Sequence, residues 1–259
     1  MSERPLILLS NDDGVEARGL HALREALVDI AEVFVVAPRT EQSAGSHSLT
    51  LSRPLRHRMH EPQLHAIDGS PADCIYVALF RDQLLPRRPD LVVSGINHGY
   101  NLGTDVYYSG TVAAAREAAL RGIPSVAFSL ARPGGKLDVA APHARDLVAR
   151  LIAAPMDPPG DHAPLLNVNF PAGDAYAGVR ATRLGRRVYL DEVDVRHDPR
   201  GAEYYWLGGP GAKHHPVSGS DTEAVDAGWV SVTPLLLDST DPNDFGLAAW
   251  VAGPAKEEA

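Results

Sequence analysis

The run Pro5-Leu6-Ile7-Leu8-Leu9 is apolar throughout and is cut off at once by Ser10-Asn11-Asp12-Asp13-Gly14. A run this short, punctuated by a glycine turn, predicts a buried central strand. Its carboxyl end then emits two adjacent carboxylates. Left alone, such neighbours repel and raise one another's pKa, and a hard divalent cation with oxygen ligands is the natural compensation. The turn is therefore read as a metal site at the end of a parallel strand.

The following segments fit that frame. Leu20, Leu23, Leu27 and Ile30 recur at helical spacing, and Val33 to Ala37 before Pro38 reads as a second buried strand. Asp73 to Phe80 predicts a helix, Leu91 to Ser94 a strand, Thr111 to Arg121 a helix ended by Gly122, Ser125 to Leu130 a strand and Ala141 to Ala153 a helix. Such alternation with short connections predicts an α/β fold: a Rossmann-like, mostly parallel sheet flanked by helices, with ligands outside the carboxyl ends of the strands.

Beyond Ala153 the pattern changes. Pro155, Pro158, Pro159 and Pro164 mark a linker; Leu165 to Phe170, Val179 to Leu184 and Arg187 to Val195 read as strands. Arg196 to Ser220, with Gly208-Gly209-Pro210-Gly211, reads as an extended hairpin or loop, where Tyr204, Tyr205 and Trp206 either anchor another subunit or cover the protein's own core. The expected division is a catalytic core over 1–184 and a β-rich C-terminal oligomerisation extension over 185–259, part of which, 221–238, returns to the core. The tail from Ala252 to Ala259 is expected to fray.

Composition narrows the function. With 44% hydrophobic and 22% charged residues, the 259-residue chain is ordinary globular material. A formal charge of -9 argues against a nucleic-acid polymer or an anionic membrane as partner, since both require a basic footprint. The apolar stretch after Met1-Ser2-Glu3-Arg4 is too short for a signal-peptide core or a spanning helix, so the cytoplasm is the expected location. The single cysteine, Cys74, excludes a multi-cysteine zinc site and reads as a small buried hydrophobe.

Four turns after predicted parallel strands supply the chemistry. The first offers Asn11, Asp12 and Asp13, the second Ser43, and the third Asn97 within Ser94-Gly95-Ile96-Asn97-His98-Gly99. Two carboxylates, a hydroxyl and a carboxamide form an all-oxygen set suited to one Mg2+ or Mn2+ rather than zinc. The fourth, Tyr108-Ser109-Gly110-Thr111, enters a helix, and its N–H groups and hydroxyls beside a glycine make a phosphate site. Taken singly, Ser109 or Thr111 is an ordinary N-cap and Asn97 a turn residue; only convergence at one sheet edge raises them above that.

These residues resemble the SurE, or survival protein E, family of metal-dependent nucleotide phosphatases. The likeness is carried by Asn11-Asp12-Asp13-Gly14, by Ala37-Pro38 with Ser43 and Ser48-Leu49-Thr50-Leu51, and by Ser94-Gly95-Ile96-Asn97. Asn101 to Val106, Tyr108 to Val112, Asp221-Thr222 with Ala224-Val225, and Val230 to Leu235 extend it, so it runs from about Leu6 to about Asp238. Ala44 and Ala113 stand where glycine is expected, and Glu223 where aspartate is common.

The resemblance implies that Asp12, Asp13, Ser43 and Asn97 hold the cation. It implies a 5′- or 3′-nucleotidase of broad base tolerance, with some action on short polyphosphate, in a homodimer or homotetramer with exchanged C-terminal elements. The expected reaction is phosphomonoester hydrolysis by metal-activated water, with Asp12, Asp13 and Asn97 as catalytic groups. Asn11, Ser43, Asn97, Ser109, Gly110 and Thr111 are the expected phosphate contacts. His21, His47 and His98 are nearby proton donors outside that set. Two other readings compete. A receiver-like regulator also places an acidic pair after its first strand, but needs a phospho-accepting aspartate where this chain has Asn97. A non-catalytic nucleotide-binding protein would bind nucleoside monophosphates without turnover.

Overall fold

The run Leu6–Ser10 forms strand β1, and every residue of it is buried. The computed structural model describes residues 4–155, 163–189, 193–207, 212–215 and 217–253. After β1 come α1 (Arg18–Leu27), β2 (Glu32–Pro38), β3 (His57–Glu61), β4 (Leu64–Ile67), α2 (Pro71–Phe80) and β5 (Leu91–His98). A 3-10 turn, Gly103–Tyr107, leads to α3 (Gly110–Leu120), β6 (Ser125–Leu130), α4 (Leu137–Ala153), β7 (Leu165–Phe170) and β8 (Val179–Ala181). The remainder is β9 (Arg186–Tyr189), β10 (Val193–His197), β11 (Glu203–Leu207), β12 (Ala212–His215), α5 (Asp221–Asp226), β13 (Val230–Pro234) and α6 (Phe245–Ala252).

The main sheet runs β3-β4-β2-β1-β5-β6-β7-β13-β8. From β4 to β7 all neighbours are parallel, as the alternating pattern predicts. β3 is antiparallel to β4 at one edge, and β13 is antiparallel to β7 and parallel to β8 at the other. Side chains of β1 alternate between the two faces. Ile7 and Leu9 pack with Leu20, Leu23 and Leu27 of α1 and with Ala144 and Val148 of α4. Leu8 packs with Cys74 and Ile75 of α2 and with Ala114 and Ala118 of α3. Each fully buried leucine or isoleucine here contributes roughly 2 kcal/mol relative to exposure, so β1 is fixed from both sides.

That packing decides where the loops go. Leu9 is in register with Val35 of β2 and with Val93 of β5, so the three strands end at one rim. The chain passes from β1 to β2 on one side, while β5 lies on the other; such a reversal of strand order opens a crevice at the carboxyl edge.

Several elements differ from the sequence reading. Arg187 to Val195, expected as one strand, contains two, β9 and β10, which pair with β12 and β11 respectively. The β3–β4 hairpin was not foreseen, because His57–Glu61 is an exposed polar edge strand with no apolar alternation to announce it. α4 starts at Leu137 and continues through Pro142, whose ring falls within the first two turns. Residues 156–162 of the proline-marked linker, the Gly208 to Gly211 segment and the tail from 254 lie outside the described residues. Among the described residues no helix is long and apolar enough to cross a membrane.

One buried carboxylate joins late sequence to the site. Asp221, the first residue of α5, accepts N–H bonds from Gly103 at 2.8 Å, Gly185 at 2.7 Å and Thr222 at 2.8 Å. Burial pushes its pKa up, while those donors pull it down. Removing the acceptor strands three backbone donors in the interior. Asp221→Ala is therefore expected to cost about 3 kcal/mol or more, read from the shift in denaturant midpoint. Asp198→Ala removes an exposed carboxylate that also accepts two backbone N–H groups, from Arg200 and Ala202; it should cost less than about 1 kcal/mol.

Candidate active site

The site is organised around Asp12, which is 5% exposed. Helix α3 points its amino end at this carboxylate. The Thr111 hydroxyl donates to Asp12 Oδ1, and the Thr111 backbone N–H also reaches the carboxylate. The helix dipole favours negative charge there. Gly110 is required by closeness: a Cβ at this position would lie 2.8 Å from Asp12 Cβ. Burial nevertheless dominates and pushes the Asp12 pKa up to about 6, against the Thr111 bonds and with help from the Asp13 charge. Asp13 is raised too, first by burial and then by Glu41; the His98 N–H, 3.2 Å from Oδ2, with the charges of His98 and Arg132, opposes this.

The Ser43 loop is tied down on both sides. Gln42 N–H donates to the Asp12 carbonyl at 2.7 Å, and Ser46 N–H to the Tyr108 carbonyl at 3.0 Å. The Ser46 hydroxyl donates to the Tyr107 carbonyl at 2.7 Å, and His47 Nε2 lies 2.9 Å from buried Glu117. Between these anchors the chain turns through left-handed conformations at Ala44 (φ 56) and Ser46 (φ 51). That geometry explains the glycine expected at position 44, since alanine there carries a penalty of roughly 1–2 kcal/mol.

One cleft of about 580 Å³ gathers Asp12, Asp13, Ser43, Asn97 and Ser109. Asn11, Gly110 and Thr111 are not among its lining residues. Asn11 is buried behind the turn, its Nδ2 donating to the Gly14 carbonyl at 2.9 Å. Thr111 is spent on Asp12, and the Ser109 hydroxyl caps α3 by accepting from Val112 N–H at 3.0 Å. Of the candidate histidines, His98 lines the cleft. Asn101, Asp105, Tyr108 and Arg132 line it without having been singled out as site residues. Arg132 follows the end of β6, so the rule that strand ends carry ligands could have found it. Asn101 is positioned by tertiary contacts that sequence does not display: its N–H donates to Asn169 Oδ1 at 2.9 Å, and its carbonyl accepts from Asn167 and Asn169 Nδ2.

The donor chemistry fits a hard divalent cation. Asn97 commits its Nδ2 to the Gly99 carbonyl at 3.0 Å, which leaves Oδ1 as the atom that could ligate a cation. Ser43 donates its hydroxyl proton to Glu41 Oε1 at 2.6 Å and keeps its lone pairs. Among the described residues no group of three His, Cys, Asp or Glu is arranged to hold a metal. The set therefore depends on two carboxylates completed by neutral oxygens, which suits magnesium or manganese rather than zinc.

The family model described as "Survival protein SurE" matches residues 7–191. A protein of Sorangium cellulosum named "5'-nucleotidase SurE" is 57% identical over 250 residues, covering 96% of each chain. One of the same name from Anaeromyxobacter dehalogenans is 51% identical, covering 98% of this chain and 99% of that one. A crystal structure of the SurE protein from Aquifex aeolicus superposes with a TM-score of 0.82 at 38% identity, covering 96% of this chain and all of that one. Matched across most of its length in both sequence and fold, the chain belongs to the survival protein SurE family.

Proposed function

We propose that this protein is a divalent-metal-dependent 5′-nucleotidase that hydrolyses nucleoside monophosphates by direct attack of water. The observation that carries the reading is the meeting of Asp12, Asp13, Ser43 and Asn97 in one cleft beside the amino end of α3. Relatives 57% and 51% identical that bear the name 5'-nucleotidase SurE support it. Asp12, Asp13, Ser43 and Asn97 would hold magnesium or manganese, which when bound would supply positive charge to the phosphoryl oxygens and lower the pKa of water.

The chain's own groups do the rest. Asp13 accepts the proton of the attacking water at Oδ1, since Oδ2 is occupied by the His98 N–H. Arg132 and the Ser109 hydroxyl, which line the cleft, bind and orient the phosphoryl oxygens. We assign the proton for the leaving alkoxide to the His98 imidazole, because it lines the cleft whereas His47 is engaged by Glu117. Residues 1–184 are read as the catalytic core and 185–259 as an extension; 3′-nucleotides and short polyphosphate are read as further substrates. A cytoplasmic homodimer or homotetramer with exchanged C-terminal elements is the proposed state, supported by α6, where Trp250 and Val251 are 81% and 70% exposed.

A phosphate-release panel over nucleotides and polyphosphate, with magnesium, manganese or chelator, tests the activity. Binding without turnover in any metal would overturn it. Light scattering that returns a monomer at micromolar concentration would overturn the assembly.

The burial of Asp12 makes a second test. In the metal-free protein the folded state keeps a proton on Asp12 up to about pH 6, while the unfolded chain releases it near pH 4. Stability therefore falls as pH rises through that window and stays reduced above it, by about 3 kcal/mol. Asp12→Asn is expected to melt higher than the parent at pH 8 without metal, to lose this advantage near pH 4, and to lose phosphatase activity. An advantage equal at both pH values would remove the burial argument.

His98→Gln should lower kcat on AMP by about a hundredfold. The loss on p-nitrophenyl phosphate should be much smaller, because that leaving group departs without a proton. Equal losses on the two substrates would remove His98 as the proton donor, since the backbone N–H that holds Asp13 survives the substitution.

A further inference from the structure

We propose that Tyr108 is the nucleobase platform of this site, stacking the base of a nucleoside 5′-monophosphate and favouring purines over pyrimidines. The inference rests on the phosphatase reading and goes further, to how the nucleoside is chosen. Tyr108 lines the same cleft as Asp12, Asp13 and Asn97, yet its side chain lies at the solvent side, 66% exposed.

Its backbone is held fast. Tyr108 N–H donates to the Asp105 carbonyl at 3.0 Å, and its own carbonyl accepts from Ser46 N–H at 3.0 Å. The preceding carbonyl, of Tyr107, accepts the Ser46 hydroxyl. The ring, by contrast, has no hydrogen bond, ring contact or ion pair among the described residues. A tyrosine with a pinned backbone and an uncommitted ring is pre-organised to receive a flat partner at small entropic cost.

Position along the chain sets which part of the substrate reaches it. Ser109, the next residue, lines the cleft with Asp12 and Asp13, so the phosphoryl group belongs beside Ser109. The base is one ribose away from that group, toward the mouth of the cleft where the Tyr108 ring stands. Stacking on a single aromatic tolerates every base, because each has a π-face, and it strengthens with the size of the ring system. Broad base use with a purine bias is the outcome.

The test compares AMP, CMP and ribose 5-phosphate as substrates of the metal-loaded parent, Tyr108→Ala and Tyr108→Phe. The readout is the ratio of kcat/KM for AMP to that for ribose 5-phosphate, which has no base. In Tyr108→Ala this ratio should fall about tenfold, mostly through KM, and the preference for AMP over CMP should shrink with it. Tyr108→Phe, which keeps the ring, should restore both. An unchanged ratio in Tyr108→Ala would overturn the inference, as would a ratio that falls as far in Tyr108→Phe, since the hydroxyl and not the ring would then be the contact. If the parent releases phosphate from neither AMP nor ribose 5-phosphate, the phosphatase reading itself fails. If it cleaves both equally well, only the platform fails.

Discussion

The interaction on which the molecule turns is the contact of Asp12 with the amino end of α3. A carboxylate pressed against Gly110, bonded by Thr111 and nearly withdrawn from water is an expensive group to place at the end of a central strand. The Thr111 bonds and the helix dipole compensate in part, but burial and the neighbouring Asp13 outweigh them, as the raised pKa of Asp12 records. The deficit has the sign and the place that a divalent cation would correct. Stability given up in the metal-free protein would be turned into affinity for such an ion, because a site already dehydrated and rigid needs little reorganisation when charge arrives.

Rigidity of that kind needs a frame, and the sheet provides it. β1 is clamped between two apolar layers, one with α1 and α4 and one with α2 and α3, so its carboxyl end has little freedom. β2 and β5 flank it in fixed register. The loops that leave these strands are then bound to one another rather than to the core: Gln42 to Asp12, Ser46 to Tyr107 and Tyr108, His98 to Asp13. Residues far apart in sequence become neighbours at a cost already met by hydrophobic packing. Asp221 extends the same logic to the late chain, through Gly103 at the start of the turn that leads to α3.

Much of this was legible in the sequence because it was written in apolar periodicity. The run Leu6 to Leu9, the helical spacing of Leu20, Leu23 and Leu27, the buried Val33 to Ala37 and the strand Leu91 to Ser94 together place Asp12, Ser43 and Asn97 on one rim, although Asn97 stands within β5 rather than in a turn after it. What was not legible depends on tertiary context. The β3 strand is polar and exposed, so nothing distinguishes it from a loop. Arg132 and Asn101 are ordinary residues in ordinary turns until β6 and the Asn167–Asn169 pair bring them to the cleft. The phosphate turn was legible as a motif but ambiguous in role: sequence cannot tell a hydroxyl that meets substrate from one that holds a carboxylate.

That ambiguity separates the groups of the turn by function. In Tyr108-Ser109-Gly110-Thr111, the last three are consumed internally: Ser109 caps the helix, Gly110 makes room for Asp12 and Thr111 bonds it. The Tyr108 ring faces outward. A short segment can thus hold the Asp12 carboxylate on one side and present an aromatic ring on the other, provided its backbone does not move between the two tasks. The bonds from Ser46 to Tyr107 and Tyr108 supply that constraint, and they come from the loop that carries Ser43. The Ser43 loop, the start of α3 and Tyr108 are therefore one mechanical unit, and a disturbance at any of them is transmitted to the others through hydrogen bonds rather than through the core.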